Sequence, residues 1–321
     1  MGATPPRELA LSHYTLRQLE YFVAVGEAES IVRASEQINV SSPSISAAIT
    51  QLEQTFGMPL FVRQHAQGLA LTAGGRRMLE QAQKVLSEAH AMHDIAADIT
   101  GLVRGPLSVG CLVTFAQLVL PMLRRGYETQ FPDVRFVQKE MNQAEIFSAL
   151  RRSDIDVAMT YDMDIPADLQ FSGLIQLRPF AVFAADHPCA ARDSVSIDDL
   201  AELPMVLLDL PISADYFLSL FEARKRQPLV AERTRDMAVM RSLVGNGFGY
   251  SIANVRPQSD ISPDGKPIRC VPISGKVRVL RMGLLTAQEA SRSSVVRSFL
   301  QFATDRASLN DFAMIGGEAI L

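Results

Sequence analysis

The 321-residue chain contains no tryptophan, only 7% aromatic residues and three cysteines. So few rings disfavour a carbohydrate-stacking module. Cys111, Cys189 and Cys270 lie far apart and form no CxxC pair, so neither a disulfide framework nor a zinc finger is indicated. No stretch approaches the ~18 consecutive apolar residues that a membrane span requires. Residues 1–14, with Pro5, Pro6, Arg7 and Glu8, lack the apolar core of a signal peptide and read as a disordered arm. The expectation is a soluble, cytoplasmic, reduced protein with no membrane partner. Positive charge is not in excess either. Against 31 basic side chains stand 35 acidic ones, a net charge of -4. That excludes a polybasic nucleic-acid coat but leaves room for one small DNA-binding domain. What is plentiful is apolar material, 48% of the chain, enough for two or three packed domains.

From Thr15 to Ile99 almost no strand alternation is present. Thr15 reads as a cap, and Leu16, Leu19, Phe22 and Val23 recur at helical spacing. Ser30 opens a second helix with Ile31, Ala34 and Ile38 on one face, and Asn39-Val40-Ser41 makes a short turn. Ser42-Pro43 predicts a third helix start, a hydroxyl cap followed by proline where its missing N–H costs nothing. Ile45, Ile49, Leu52 and Phe56 form its buried stripe, and Gly57 stops it. Two short helices joined by a tight turn, with a third before them, make a helix-turn-helix. The opposite face carries Ser42, Ser44, Ser46, Ala47, Thr50 and Gln51, small and polar enough to lie against DNA. Serine hydroxyls and N-terminal N–H groups suit phosphate, while Thr50 and Gln51 reach toward base edges. An ordinary solvated helix face is the competing reading at this point.

Pro59 to Arg63 then reads as a short strand, Gln64 to Gly68 as a polar turn and Leu69-Ala70-Leu71 as its return, a wing with Arg63 and His65 beside the helices. Thr72 caps a long helix. Residues 15–79 resemble the DNA-binding domain of LysR-type transcriptional regulators. The resemblance rests on Leu16-Arg17-Gln18-Leu19-Glu20-Tyr21-Phe22-Val23-Ala24-Val25, Ala34, Val40-Ser41 and Pro43-Ser44-Ile45-Ser46. It continues through Ile49, Leu52-Glu53, Gly57 to Arg63 and Leu71-Thr72-Ala73-Gly74-Gly75, and the chain fits to about residue 305. It implies DNA contacts at Arg33, Ser41, Ser42, Pro43, Ser44, Ser46, Ala47, Thr50, Gln51, Arg63, His65 and Thr72. The chain departs from the usual pattern at Ser42, where glutamine is common, and at Ala47, where arginine is common. Between Thr15 and Arg77, five arginines (17, 33, 63, 76, 77) balance five glutamates (20, 27, 29, 36, 53), so five minus five leaves a neutral domain. Weak non-specific affinity and a shallow salt dependence follow.

Residues 73–101 carry Met78, Ala82, Val85, Ala89, Met92, Ala96 and Ile99 at spacings of four and three. Alanines seven apart let two helices approach closely, so Ala82, Val85, Ala89, Met92, Ala96 and Ile99 are the expected dimerisation stripe. Packing on the helix's own domain is the alternative. The resemblance implies a dimer, and a tetramer beyond it.

After Gly105-Pro106, strands alternate with helices of ten or so residues, which implies parallel sheets. Helices are expected over Gln117 to Gln130, Ala144 to Arg151, Ala214 to Arg224 and Met237 to Val244. The run Gly245-Asn246-Gly247-Phe248-Gly249 follows a helix and not a strand, so it reads as a tight turn and not a dinucleotide site. By resemblance, 105–305 is a two-lobed, periplasmic-binding-protein-like α/β effector domain, with lobe I over 105–176 and 271–305, lobe II over 177–270, and a tail over 306–321. Thr114, Phe115, Asn142, Gln143, Tyr161, Ser213 and Phe248 then line the effector pocket.

No constellation reads as catalytic or metal-binding: His90 and His93 share a helix face without a third ligand, and no serine sits in a GxSxG elbow. The function expected is a transcription factor that binds double-stranded promoter DNA as an oligomer and answers to an unidentified small-molecule effector, without other cofactors. RNA polymerase is a candidate further partner. A solute receptor of the same two-lobed fold without a DNA role, an enzyme on that fold, and a cysteine-based redox sensor are the alternatives weighed.

Overall fold

A computed structural model describes residues 13–64, 68–100, 102–211, 213–288, 290, 293–309 and 311–319. The chain divides into two compact units, 1–95 and 96–321. The first is built from α1 (Leu16–Ala28), α2 (Ile31–Ile38), α3 (Ser42–Phe56), the hairpin β1 (Phe61–Gln64) and β2 (Gly68–Leu71), and most of α4 (Ala73–Thr100). Each short helix is set by local polar chemistry. The Thr15 hydroxyl accepts from the Gln18 N–H in a capping box, and Ser30 accepts from the Arg33 N–H. Asn39 and Gly57 close α2 and α3 in the left-handed region. The cap of α3 is Ser41 and not Ser42: the Ser41 hydroxyl accepts from the Ser44 N–H, which leaves Pro43 at the second helical position. Leu19, Phe22, Val25, Ala34, Ile45, Ile49, Leu52 and Leu60 pack into one core.

The second unit contains two lobes joined by one apolar core. The first lobe is a six-stranded sheet in the order β13-β6-β12-β5-β3-β4. Its strands are β3 (Gly105–Cys111), β4 (Val134–Glu140), β5 (Val157–Tyr161), β6 (Leu169–Leu177), β12 (Leu280–Ala287) and β13 (Gly317–Ala319). It is flanked by α5 (Val113–Leu118), α6 (Leu120–Gln130), α7 (Gln143–Arg151) and α11 (Ser294–Ser308). The second lobe holds β7 (Phe180–Ala184), α8 (Ile197–Ala201), β8 (Pro204–Leu208), α9 (Ser213–Glu222), β9 (Leu229–Thr234), α10 (Met237–Gly245), β10 (Ser251–Ala253) and β11 (Ile268–Pro272).

Two expectations need correction here. The sheets are mixed: β3 pairs in parallel with β4 and β5, and β8 with β9, but β12 runs antiparallel to β5 and β6, and β7 antiparallel to β10 and β11. Leu169–Leu177 follows β5 through a loop, and Leu280–Ala287 returns from the other lobe, neither by a crossover helix, so alternation along the chain did not announce them. The helix expected over Gln117 to Gln130 is two helices. They break at Val119, whose φ of -121 and ψ of -55 fall outside helical values, and Pro121 lies in the first turn of the second.

The chain leaves the first lobe after Leu177, enters β7 at Phe180, and returns between Pro272 and Leu280.

Candidate functional site

The exposed side of α3 carries Pro43, Ser44, Ala47, Thr50 and Gln51, while Ile45, Ala48, Ile49 and Leu52 face the core. Arg33 is also exposed on α2. The cap that starts α3 extends further, because the Ser41 and Ser44 hydroxyls lie 2.8 Å apart. Ser42 and Ser46 are half-buried. The Thr50 hydroxyl donates to the Ser46 carbonyl at 3.0 Å, so it faces any ligand as an acceptor and a methyl group. Gln51 takes a hydrogen bond on Oε1 from Gln18 Nε2 at 2.8 Å.

Thr72 has a structural role. Its hydroxyl donates to the Pro59 carbonyl at 2.9 Å and accepts from the Gly75 N–H at 2.8 Å, clamping the return of the wing onto the start of α4. A side chain at Gly75 would place its Cβ 2.1 Å from the Leu60 carbonyl oxygen, so this junction admits only glycine. His65 and the Arg63 side chain lie outside the described residues.

Sequence reasoning quoted Glu53 only as part of a motif, and the structure gives it a task. Its Oε1 accepts from the Leu60 and Phe61 N–H groups at 2.7 and 3.2 Å, fastening the first strand of the wing to α3.

The linker stripe divides. Ala82 is buried in the core of its own unit, and Met78, Leu79, Val85 and Leu86 pack against that core. For Ala82 and Val85 the intramolecular alternative therefore holds, because the wing and α1 need a cover. Ala89 is half-buried, whereas Met92 and Ile95 are 71% and 60% exposed. The side chains of Ala96 and Ile99 lie outside the described residues.

In the second unit, β3, β4 and β5 run parallel and end at one edge of their sheet. Thr114, in the first turn of α5, is half-buried there. Asn142 caps α7, its Oδ1 accepting from the Glu145 N–H at 3.0 Å. Phe115 and Tyr161 are packed ring to ring at 4.7 Å, with Phe115 wholly buried and Tyr161 7% exposed. Gln143 is buried, and its Nε2 donates to the Met163 carbonyl. Phe115, Gln143 and Tyr161 thus form packed walls at these strand ends. They are walls because the ends of three parallel strands must be plugged.

In the second lobe, Ser213 begins α9 and is half-buried. Tyr216, one turn on, donates to the Arg278 carbonyl at 2.7 Å and accepts from Asn254 Nδ2 at 3.3 Å; Asn254 also holds the Leu177 carbonyl. Burial pushes the Tyr161 phenol up, and the nearby Tyr216 raises it further; burial likewise pushes Tyr216 up to about 12. The first turn of α9 therefore stands close to the strand ends of the other lobe. Neither Tyr216 nor Asn254 was singled out from sequence, because their partners lie on distant segments.

Phe248 does not stand at the Ser213 edge of the second lobe. The strands β8 and β9 run parallel, so Leu208 and Thr234 end at the Ser213 edge. From there α10 carries the chain back to the opposite edge, where the Tyr250 N–H donates to the carbonyl of Pro204, the first residue of β8. Gly249, at φ +149, passes so close to Pro204 that a Cβ would lie 2.3 Å from its carbonyl oxygen. Phe248 is 53% exposed and shares an apolar depression of ≈ 280 Å³ with Val239, Leu243 and Pro263.

Two of the three cysteines carry little reactivity. Burial raises Cys111, in β3, and Cys270, in β11, above the ordinary thiol value, so the thiolate fraction is small. Among the described residues no group of three or more His, Cys, Asp or Glu is arranged to hold a metal ion, and no helix is long and apolar enough to cross a membrane.

Residues 16–76 match the profile of the bacterial regulatory helix-turn-helix protein, lysR family, and residues 100–308 match the LysR substrate binding domain. The chain is 29% identical over 295 residues to the uncharacterised HTH-type transcriptional regulator YnfL of Escherichia coli, covering 88% of this chain and 96% of that one. To the transcriptional activator protein LysR of Escherichia coli it is 26% identical over 287 residues, 88% of this chain and 90% of that one. The crystal structure of HinK, a LysR family transcriptional regulator from Pseudomonas aeruginosa, is similar at a TM-score of 0.62 and 32% identity, covering 92% of this chain and 99% of that one. A helix-turn-helix with its wing, a long linker helix and a two-lobed α/β unit, matched by both profiles over most of its length, place this chain in the LysR family of transcriptional regulators.

Proposed function

We propose that this regulator works in the cytoplasm, meets promoter DNA through the exposed face of α3, and takes a small organic anion between its two lobes. The polar row Ser44, Thr50 and Gln51 supports the first part, with Arg33 and the start of α3 supplying phosphate contacts. Dimerisation would use the outer part of α4, where Met92 and Ile95 are exposed and Ala89 is half-buried. RNA polymerase and a tetramer belong to the same reading.

The observation that carries the effector assignment is the approach of the α9 first turn to the strand ends of the first lobe. That approach supports a reading in which the hydroxyl-bearing helix starts at Thr114 and Ser213 face one ligand. The charge of the ligand follows from what is already neutralised. Asp162 binds Arg281 at 2.7 Å, and Asp209 lies 3.4 Å from Arg233, so these two acids have cations of their own. Apart from the exposed Asp164, hydroxyls and helix N–H groups remain, and these support a carboxylate.

Thr114→Val and Ser213→Ala each delete one hydrogen bond with little change of volume, worth about 0.5–1.5 kcal/mol, or more to a charged ligand. Thermal-shift screening of a panel of organic acids against the full chain supplies the ligand. Each variant should then bind it several-fold more weakly and keep ligand-free operator binding. Wild-type affinity in both variants would place the pocket elsewhere.

A further inference from the structure

A glutamine on a recognition helix usually offers both an N–H donor and a carbonyl acceptor, and so suits adenine, whose major-groove edge asks for both. Gln51 is not in that position. Its amide is the last member of a chain of amides whose orientation is fixed from one end. That end is the Thr15 backbone N–H, which can only donate. It lies 2.8 Å from Gln18 Oε1, and the Thr15 hydroxyl lies 3.2 Å from the same oxygen. Turning the Gln18 amide over would set its NH2 against a backbone N–H, donor against donor. Gln18 Oε1 is therefore held toward Thr15, and Gln18 Nε2 must point away from it.

Gln18 Nε2 meets Gln51 at 2.8 Å. Because Gln18 presents hydrogens there, Gln51 must answer with Oε1. With Oε1 turned in toward Gln18, the Gln51 NH2 group is the one aimed outward, and among the described residues no partner takes it. Gln51 is exposed and Gln18 half-buried, so the supporting amide is sheltered and the offered one is accessible. Both residues line a depression of ≈ 460 Å³ with Thr15, Arg17 and Tyr21, and the Arg17 Nε donates to the Tyr21 hydroxyl at 2.9 Å beside them. The arrangement joins the cap of α1 to a side chain on α3, residues 33 apart in sequence.

We infer that Gln18 is a positioning residue which locks Gln51 as a donor-only reader, so that Gln51 selects base edges that accept hydrogen bonds, guanine O6 and N7 foremost and thymine O4 next, and disfavours the amine edge of cytosine. This inference rests on the proposal that the α3 face meets DNA. Adenine is recognised through N7 alone and loses the bidentate advantage it normally has with glutamine.

The lock can be reversed without touching the DNA-facing residue. In Gln18→Glu the carboxylate still accepts from the Thr15 N–H, and glutamate is the usual partner at this position of a capping box, so the helix start is kept. A carboxylate cannot donate to Gln51, however. Gln51 must turn its NH2 inward and present Oε1 to the DNA. Binding sites are selected from random double-stranded DNA and sequenced for the full-length wild type, Gln18→Glu and Gln51→Ala. Gln51→Ala should flatten the preference at one base pair of the site. At that pair the wild type should prefer guanine or thymine by about fivefold or more, and Gln18→Glu should move the preference to adenine or cytosine. The added charge weakens binding to every site alike, so relative base preference is the readout.

An unchanged preference in Gln18→Glu at the pair that Gln51→Ala flattens would overturn the lock. A Gln51→Ala profile identical to wild type at every pair would also overturn it, by removing Gln51 from base reading while the rest of the α3 face still binds. If the wild type itself selects no sequence, the underlying proposal about α3 fails, an outcome distinct from the other two.

Discussion

Replacing Glu53 with alanine removes the acceptor shared by the Leu60 and Phe61 N–H groups at 2.7 and 3.2 Å. Leu60 is wholly buried, so water cannot readily take the place of the carboxylate at its backbone. A hydrogen bond to a charged group contributes about 1.5–3 kcal/mol, and because one oxygen serves both donors the total is less than twice that, roughly 2–4 kcal/mol. That energy fastens the wing to α3, so its loss should be local before it is global. Amide exchange at Leu60 and Phe61 should accelerate by about 30-fold or more, and operator affinity should fall with it. Glu53→Gln retains an amide oxygen in the same place without the charge, and should recover roughly half of the loss. Unchanged exchange at those two amides in Glu53→Ala would refute the reasoning. So would equal behaviour of the alanine and glutamine variants, since the effect would then not run through this oxygen.

Ser44→Glu combined with Ser46→Glu should abolish operator binding and leave thermal stability near wild type, because carboxylates repel phosphate while the buried stripe Ile45, Ile49 and Leu52 is untouched; a mobility shift equal to wild type would reject the α3 face. Ala82→Leu should lower the unfolding temperature by overpacking worth ~1–3 kcal/mol while the oligomer persists, whereas Ala89→Leu should weaken or rearrange the oligomer in size-exclusion and scattering measurements. His187 accepts from the Cys189 N–H through Nδ1 and stacks on Phe183, and burial holds its imidazole below the ordinary 6.5. The folded state then binds fewer protons than the unfolded one, so stability should be full above pH ~6.5 and decline as pH falls below it. The part of that decline due to His187 should disappear in His187→Gln, measured by urea unfolding across the pH range.

What sequence could reveal depended on the range of each interaction. Thr15, Ser30 and Gly57 act on N–H groups and torsions within three residues of themselves, and such signals are written in the chain. The cap of α3 was misplaced by one residue because Ser41 and Ser42 are both capable caps, and only the fold decides which hydroxyl meets an N–H. The strands Leu169–Leu177 and Leu280–Ala287 pair with each other from more than a hundred positions apart, and their antiparallel sense has no local mark. Phe248 is expected in the pocket by family resemblance alone, with no local signal behind it; the direction of α10 after β9 sets it at the opposite edge. Ala82 shows the same limit, since a heptad stripe says that a face is covered and not by what. The Gln18–Gln51 pair and Glu53 joined the wing and helices through polar contacts that no spacing announces.

The double crossing between lobes also dictates an order of assembly. Leu177 and Leu280 are neighbours across one sheet, and Phe180 and Pro272 are neighbours in the next, so the whole second lobe is a loop whose ends meet. Bringing β12 beside β6 while those hundred or so residues are still a coil costs about 4 kcal/mol of closure entropy. Once β7 and β11 have paired, the same two ends already sit side by side and most of that cost is gone. The inserted lobe should therefore fold first, with the central strand of the first lobe among the last to be added, and lesions in the second lobe such as a side chain at Gly249 should slow formation of the first.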